Sequence, residues 1–222
     1  MIMVWIVVPA YNEEKNIAET VRGLLALGYS NIAVVDDGSL DETAARAQQA
    51  GASILKHVLN RGQGAALQTG HEHVIRRGAE VIVDFDADGQ FNPEDIFEAI
   101  KKLQSENLDV VFGSRFLGSG SKVPFSKKYF ILPLAKLINR FFTGVKLTDA
   151  HNGFRVFTRG GLQKIQITQD KMAHNTEIIA QTKKNRLRFA EVPVRVHYSE
   201  YGQGWRGGVE IIKDLVINFF VK

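Results

Sequence analysis

Apolar positions along this chain switch repeatedly between continuous runs and helical spacing. "VWIVVPA" is an unbroken apolar run, and after it Ile17, Val21, Leu24 and Leu25 recur at the 3.6-residue period of a helix. "NIAVVDDGS" repeats the run and ends in acidic turn residues. Asp41 or Ser39 can cap the helix "DETAARAQQAG", which stops at Gly51. "ASILKHV" predicts a third strand, and after the turn "NRGQG" a helix reaches to about Arg77. "AEVIVDFDA", a helix opened by Pro93 and the strand "DVVFGSR" continue the alternation. Strands apolar on both faces and separated by helices predict an α/β domain with a mostly parallel central sheet and right-handed crossovers.

In such sheets ligands bind beyond the carboxyl ends of the strands. The turns expected there, after strands one, two and four, read "PAYNEE", "DDGS" and "DFDADGQ". Three polar clusters therefore converge on one edge. Beyond about residue 115 the pattern loosens. "VPFSKKYFILPLAKLINRFFTG" is apolar and basic, with Pro133 interrupting any helix. "DAHNGFRVFT" predicts a polar turn and a strand, "HNTEIIAQTKK" a helix, "LRFAEVPVRVHY" a strand and "GVEIIKDLVINFFVK" a terminal helix. One domain with a C-terminal helical elaboration accommodates all of it. Residues 1–115 form its ligand-binding half and 116–222 the half facing an acceptor or a membrane.

Composition adds limits. Hydrophobic content of 45% and charged content of 23% are ordinary for a globular chain, and the absence of Cys excludes thiolate metal sites and disulfides. A net charge of +4 suits an anionic partner; mild basicity alone does not predict nucleic-acid binding. "MIMVWIVVPAYNEE" is expected to be a first strand and not a signal peptide. No run reaches the ~18 apolar residues of a membrane span. The segment around Lys127 and Lys128 and the terminal apolar stripe instead resemble helices that lie in a bilayer interface or dock on a small membrane protein. A cytoplasmic, peripherally membrane-associated protein is the expectation.

Candidate chemistry centres on Asp86 and Asp88. Two apart on an extended chain, they point to one side and can approach one divalent ion, with Gln90 adding a neutral oxygen. Hard oxygen ligands suit Mg²⁺ or Mn²⁺, which share ligands with a diphosphate. The alternative is a solvated turn. Asp36 and Asp37 can bind ribose or base donors, cap a turn, or divide the two tasks. Gly62 and Gly64 fit a phosphate-cradling loop or close packing equally. Arg115, at a strand end, and Lys127, Lys128, Arg155 and Arg206 are candidates for contacts to phosphate.

"VVPAYNEEKNI", "VVDDGSLDET", "NRGQGAALQTG", "DFDADGQFNPEDI", "GSRF" and "DAHNGFRVF" together resemble the family-2 glycosyltransferases of GT-A fold, in particular the dolichyl- or polyprenyl-phosphate mannose and glucose synthases. The resemblance implies that Pro9, Tyr11, Glu13 and Asp37 hold the nucleoside of a GDP-mannose or UDP-glucose donor. It implies that Asp86, Asp88 and Gln90 hold the ion bridging the diphosphate, and that Arg115 and the Lys127–Lys128 region meet a lipid phosphate. Where these synthases carry a pattern like Arg-x-x-Gly-x-Ser-Lys, this chain reads "SEYGQGWRGG", with Arg206 the nearby basic group. That departure keeps a glycan or other hydroxyl acceptor, and a non-catalytic sugar-nucleotide-binding subunit, as alternatives. A hydroxyl acceptor requires a general base, for which Glu177 or Asp149 is available.

Overall fold

Seven apolar strands assemble into a single sheet in the computed structural model, which describes residues 2–117 and 145–196. The strands are β1 (Val4–Ala10), β2 (Ile32–Asp36), β3 (Ser53–Lys56), β4 (Val81–Asp84), β5 (Val110–Ser114), β6 (Arg155–Thr158) and β7 (Phe189–Pro193). They lie in the order β3-β2-β1-β4-β6-β5-β7. β1, β2, β3 and β4 pair in parallel, as do β5 and β7. β6 alone runs antiparallel to both its neighbours, β4 and β5. The mostly parallel sheet predicted from the alternating periods is thus present, with one reversed strand inserted between β4 and β5.

Continuous apolar strands are explained by helices covering both faces. Alternate side chains of β1, Ile6 and Val8, pack with Ile17, Val21 and Leu24 of α1 (Ile17–Ala26) and with Ile96, Ala99 and Leu103 of α4 (Asp95–Ser105). Val7, pointing the other way, packs with Ala66, Leu67 and Val74 of α3 (Gln63–Arg76) and with Ile178 and Ile179 of α6 (His174–Lys184). α2 (Thr43–Gln49) and the short α5 (Arg159–Leu162) complete the described helices. α2 ends at Gly51, whose φ of +109° suits glycine.

This topology sets the functional edge. Parallel strands β1, β2 and β4 deliver their carboxyl ends side by side, as expected from the sequence. Because β6 is reversed, it brings its amino end, Arg155 and the preceding residues 149–154, to that same edge beside β4. The predicted Lys127, Lys128 and Arg206 contacts, and both candidate membrane-surface segments, lie outside the described residues. Among the described residues, no helix is long and apolar enough to cross a membrane.

Candidate active site at the carboxyl edge of the sheet

The turns after β1 and β2 are tied into one unit. Asn12 N–H donates to Ser39 Oγ at 3.0 Å, Leu40 N–H to Asn12 Oδ1 at 3.0 Å, and Glu13 N–H to Thr43 Oγ1 at 2.8 Å. Pro9 lies one residue before the end of β1 and is buried, while Tyr11 projects with 45% of its surface exposed. Glu13 accepts from Asn16 Nδ2 at 2.8 Å, and burial together with nearby Asp88 raises its pKa. Asp36 is wholly buried: Ser39 N–H donates to its Oδ1 at 3.0 Å, and Lys56 Nζ stands 3.6 Å from its Oδ2. Asp37 is filled by protein donors. Arg61 and Gly62 N–H bond its oxygens at 3.0 and 2.6 Å, and His57 Nδ1 lies at 2.6 Å.

Gly62 and Gly64 have a packing reason to be glycine. A Cβ on Gly62 would stand 2.3 Å from Asp170 O, and one on Gly64 would stand 2.0 Å from Gln169 O. Gly64 N–H donates to Asp170 O at 2.8 Å. The amino end of α3 is therefore pressed against residues 169–170.

Asp86 and Asp88 follow β4 and remain partly accessible. Gln63 Nε2, at the start of α3, donates to Asp86 Oδ1 at 2.9 Å, and Gln90 N–H donates to Asp88 Oδ1 at 3.0 Å. Across the sheet Gly153 faces Asp86 so closely that a Cβ there would lie 2.3 Å from Asp86 Oδ2. Burial and the Asp88 charge push the Asp86 pKa up to about 7, with Arg155 and Arg115 opposing. Burial likewise raises Asp88. Two adjacent carboxylates made reluctant to ionise, both by burial and Asp86 also by the Asp88 charge, fit a divalent cation, whose charge would oppose these effects. Among the described residues no three His, Cys, Asp or Glu side chains gather around one point. An ion held by this pair and Gln90 would complete its shell with water and phosphate oxygens, as Mg²⁺ and Mn²⁺ commonly do.

Beneath the pair lies a buried polar network. Asp84 and Arg155, each 1% exposed, stand opposite one another on β4 and β6, with Arg155 Nη1 3.7 Å from Asp84 Oδ2. His71 Nε2 donates to Asp84 Oδ1 at 2.6 Å, and Arg155 Nη2 donates to Asn175 Oδ1. His174, beside them, is pulled down to about 4 by burial and the Arg155 charge, so it is neutral. The expectation that Arg155 meets an acceptor phosphate is corrected here. A guanidinium enclosed on all sides and paired to Asp84 does not reach solvent.

Arg115 does sit at the open edge, with 26% of its side chain exposed. Its Nε and Nη2 donate to Asp149 Oδ2 and Oδ1 at 2.7 and 2.8 Å, a bidentate pair. Despite burial, these bonds hold the Asp149 carboxyl below its usual range. Glu191 of β7 fixes the loop behind, accepting from Thr148 N–H at 2.8 Å and Asp149 N–H at 3.2 Å. Glu177, the other candidate base for a hydroxyl acceptor, is occupied by donors of its own chain. Its carboxylate accepts from Thr168 N–H at 2.9 Å, Thr168 Oγ1 at 2.6 Å and Gln169 N–H at 2.9 Å, clamping the loop that packs on Gly62 and Gly64.

Sequence patterns brought Asp86, Asp88, Arg115 and Asp149 to one edge but missed Gln63, His71, Gly153, Asn175 and Glu191. One signal was available. An Arg inside the apolar run "GFRVF" needs a buried partner, and an Asp closing the apolar run "VIVD" is the natural one.

Comparison with known proteins agrees with this geometry. The model of the family described as "Glycosyl transferase family 2" matches residues 5–166. A UDP-N-acetylglucosamine–dolichyl-phosphate N-acetylglucosaminyltransferase of Methanococcus voltae is 32% identical over 90% of this chain and 87% of its own. A polyprenol monophosphomannose synthase of Mycolicibacterium smegmatis is 30% identical over 93% of this chain and 82% of its own. Among solved structures, glucosyl-3-phosphoglycerate synthase of Mycobacterium tuberculosis, in complex with Mn²⁺, UDP and its product, superposes with a TM-score of 0.74. It does so at 17% identity over 98% of this chain and 78% of that one, a likeness of fold. A family match that spans all three polar turns of the sheet edge, together with relatives alike over nearly their whole length, places this chain in glycosyl transferase family 2.

Proposed function

We propose that this glycosyltransferase moves a hexose from a nucleoside-diphosphate sugar to a polyprenyl phosphate, with inversion at the anomeric carbon. Relatives named for transfer to dolichyl or polyprenyl phosphate support the acceptor class. The observation that carries the reading is the state of the nearby carboxylates. Asp149 is bound bidentately by Arg115 and made less basic, and Glu177 is filled by three donors of residues 168–169. Neither is suited to deprotonate a sugar hydroxyl. A phosphate monoester, with a second pKa near ~6, arrives as an anion and needs no base.

Asp86, Asp88 and Gln90 would hold a divalent ion, which supplies neutralisation of the diphosphate leaving group. Tyr11 and Glu13 would contact the donor's nucleoside. Asp36 and Asp37 act by shaping that pocket through Ser39 and through Arg61 and Gly62. Arg115, held by Asp149 at the rim, is placed to orient the incoming phosphate. Activity at a membrane surface follows from such an acceptor.

The test is transfer from labelled GDP-mannose, UDP-glucose and UDP-N-acetylglucosamine to a short polyprenyl phosphate, with and without Mn²⁺ or Mg²⁺. A metal-dependent lipid product from one donor is expected. Transfer to a free glycan and none to the lipid would overturn the acceptor assignment.

A further inference from the structure

Arg155, expected from the sequence to meet a phosphate, is instead buried beside β4, and its surroundings suggest another role. The β4–β6 register sets Asp84 opposite Arg155. Continuing that antiparallel register by two residues sets Asp86 opposite Gly153, in agreement with the contact between Gly153 and the Asp86 carboxylate. Residues directly opposite on antiparallel strands share a face, as do residues two apart. Asp84, Asp86, Arg155 and Gly153 therefore occupy one face. Arg155 is the diagonal neighbour of Asp86, about 7–8 Å away by backbone geometry and within reach of so long a side chain. Gly153 contributes no side chain to separate them.

The guanidinium is held but not saturated. Nη2 donates to Asn175, whereas among the described residues Nη1 has no hydrogen-bond partner and stands 3.7 Å from Asp84 Oδ2. Asp84 Oδ2 also lacks a hydrogen bond, its Oδ1 being engaged by His71. A tighter Asp84–Arg155 pair would satisfy both atoms. The looser one leaves part of the Arg155 charge directed at the neighbouring carboxylate, Asp86, in a poorly screened interior.

We propose that Arg155 is a resident counter-charge of the divalent-ion site: from the adjacent strand, on the same face as the Asp86 carboxylate, its guanidinium holds down the site's affinity for the entering cation. This rests on the metal reading above. The role is electrostatic: Arg155 need not touch the ion, donor or acceptor. Its consequence is reversible occupancy, because a site with an internal cation releases its metal more readily than an uncompensated pair of carboxylates.

The experiment is a Mn²⁺ titration of the full chain, read from the EPR signal of free Mn²⁺, with folding checked by thermal melting. Arg155→Gln keeps a hydrogen-bonding side chain but removes the charge, and about 10-fold tighter Mn²⁺ binding is expected. Asp84→Asn is isosteric and frees the Arg155 charge to turn wholly to Asp86, so about 10-fold weaker binding is expected. Arg155→Lys retains the charge and should stay within about threefold of wild type.

Opposite signs from the two halves of one ion pair are the signature. A purely architectural pair would move both variants the same way, and that result overturns the proposal. Should Arg155→Gln fail to fold, the double variant Asp84→Asn/Arg155→Gln, which leaves no unpaired buried charge, is compared with Asp84→Asn: tighter Mn²⁺ binding in the double variant supports the counter-charge, and equal or weaker binding overturns it. Wild-type protein that binds no Mn²⁺ would sink the metal reading itself, and the counter-charge with it.

Discussion

Two Asp-rich turns stand on this sheet edge, "DDGS" after β2 and "DFDADGQ" after β4, and they are built for opposite ends. Asp37 has its oxygens filled by two backbone N–H groups and a histidine, all from residues 57–62. Among the described residues Asp86 has one protein donor, Gln63, and it stands near a second carboxylate, Asp88. The difference lies in how much of each oxygen's hydrogen-bonding capacity the protein satisfies. A carboxylate completed by its own chain organises a loop. A pair left short of positive charge awaits a ligand that brings it.

The sharpest way to break this contrast is Asp86→Asn. Loss of transfer by about 10²–10³-fold or more is expected from removing half of the charge that faces the leaving diphosphate. The same change should leave the metal-free protein more stable at neutral pH. Asp86 titrates at about 7 when folded, against about 3.9 in an unfolded chain. Between those values the folded protein binds a proton that the unfolded chain does not. Stability from this group is therefore lost as pH rises from about 4 to about 7. Melting temperatures of wild type and Asp86→Asn, both free of metal, should diverge across that window, with the variant melting higher at pH 7.5. Saturating Mn²⁺ should reverse the order. Parallel pH profiles would show that Asp86 does not carry the strain assigned to it.

Gly153→Ala attacks the same carboxylate from the other strand. The new methyl would stand 2.3 Å from Asp86 Oδ2, so the carboxylate has to swing away. A loss of transfer of about 10²-fold is expected, with only ~1–3 kcal/mol of destabilisation from overpacking. Asp37→Asn should invert the balance. Its amide would confront N–H donors, costing about 1–3 kcal/mol of stability, while Mn²⁺ affinity stays near that of wild type. A collapse of metal binding in Asp37→Asn without a change in melting temperature would erase the distinction between the two turns.

Much of this arrangement is readable in the sequence, for a physical reason. Apolar runs bounded by Gly and Asp are local signals. The rule that ligands sit at the carboxyl ends of parallel strands then collects Tyr11, Asp37 and Asp86 without further information. What resists reading is non-local. The reversal of β6 between β4 and β5 depends on pairing across more than 70 residues, since Asp84 meets Arg155. Only that reversal turns Arg155 from a plausible surface cation into a buried one and sets Gly153 against Asp86. Likewise, the sequence leaves Asp37 open between binding a ligand and capping a turn, and gives no sign that donors of residues 57–62 surround it.

Glu177 extends the comparison to a carboxylate that sequence position alone made a candidate base, and it carries the smallest expected effect. Three donors from Thr168 and Gln169 complete it, as His57, Arg61 and Gly62 complete Asp37. Glu177→Gln retains an acceptor oxygen for part of this set, so a loss of about 1 kcal/mol in stability is expected, the usual worth of a partly exposed hydrogen bond. Transfer to polyprenyl phosphate should remain within about threefold of wild type, because an anionic nucleophile asks nothing of a base. Any loss should appear in donor KM, since the clamped loop backs Gly62 and Gly64, and hence Gln63 and Asp86. A fall in kcat by orders of magnitude with donor binding intact would restore Glu177 as a base. The acceptor would then be a hydroxyl and not a phosphate.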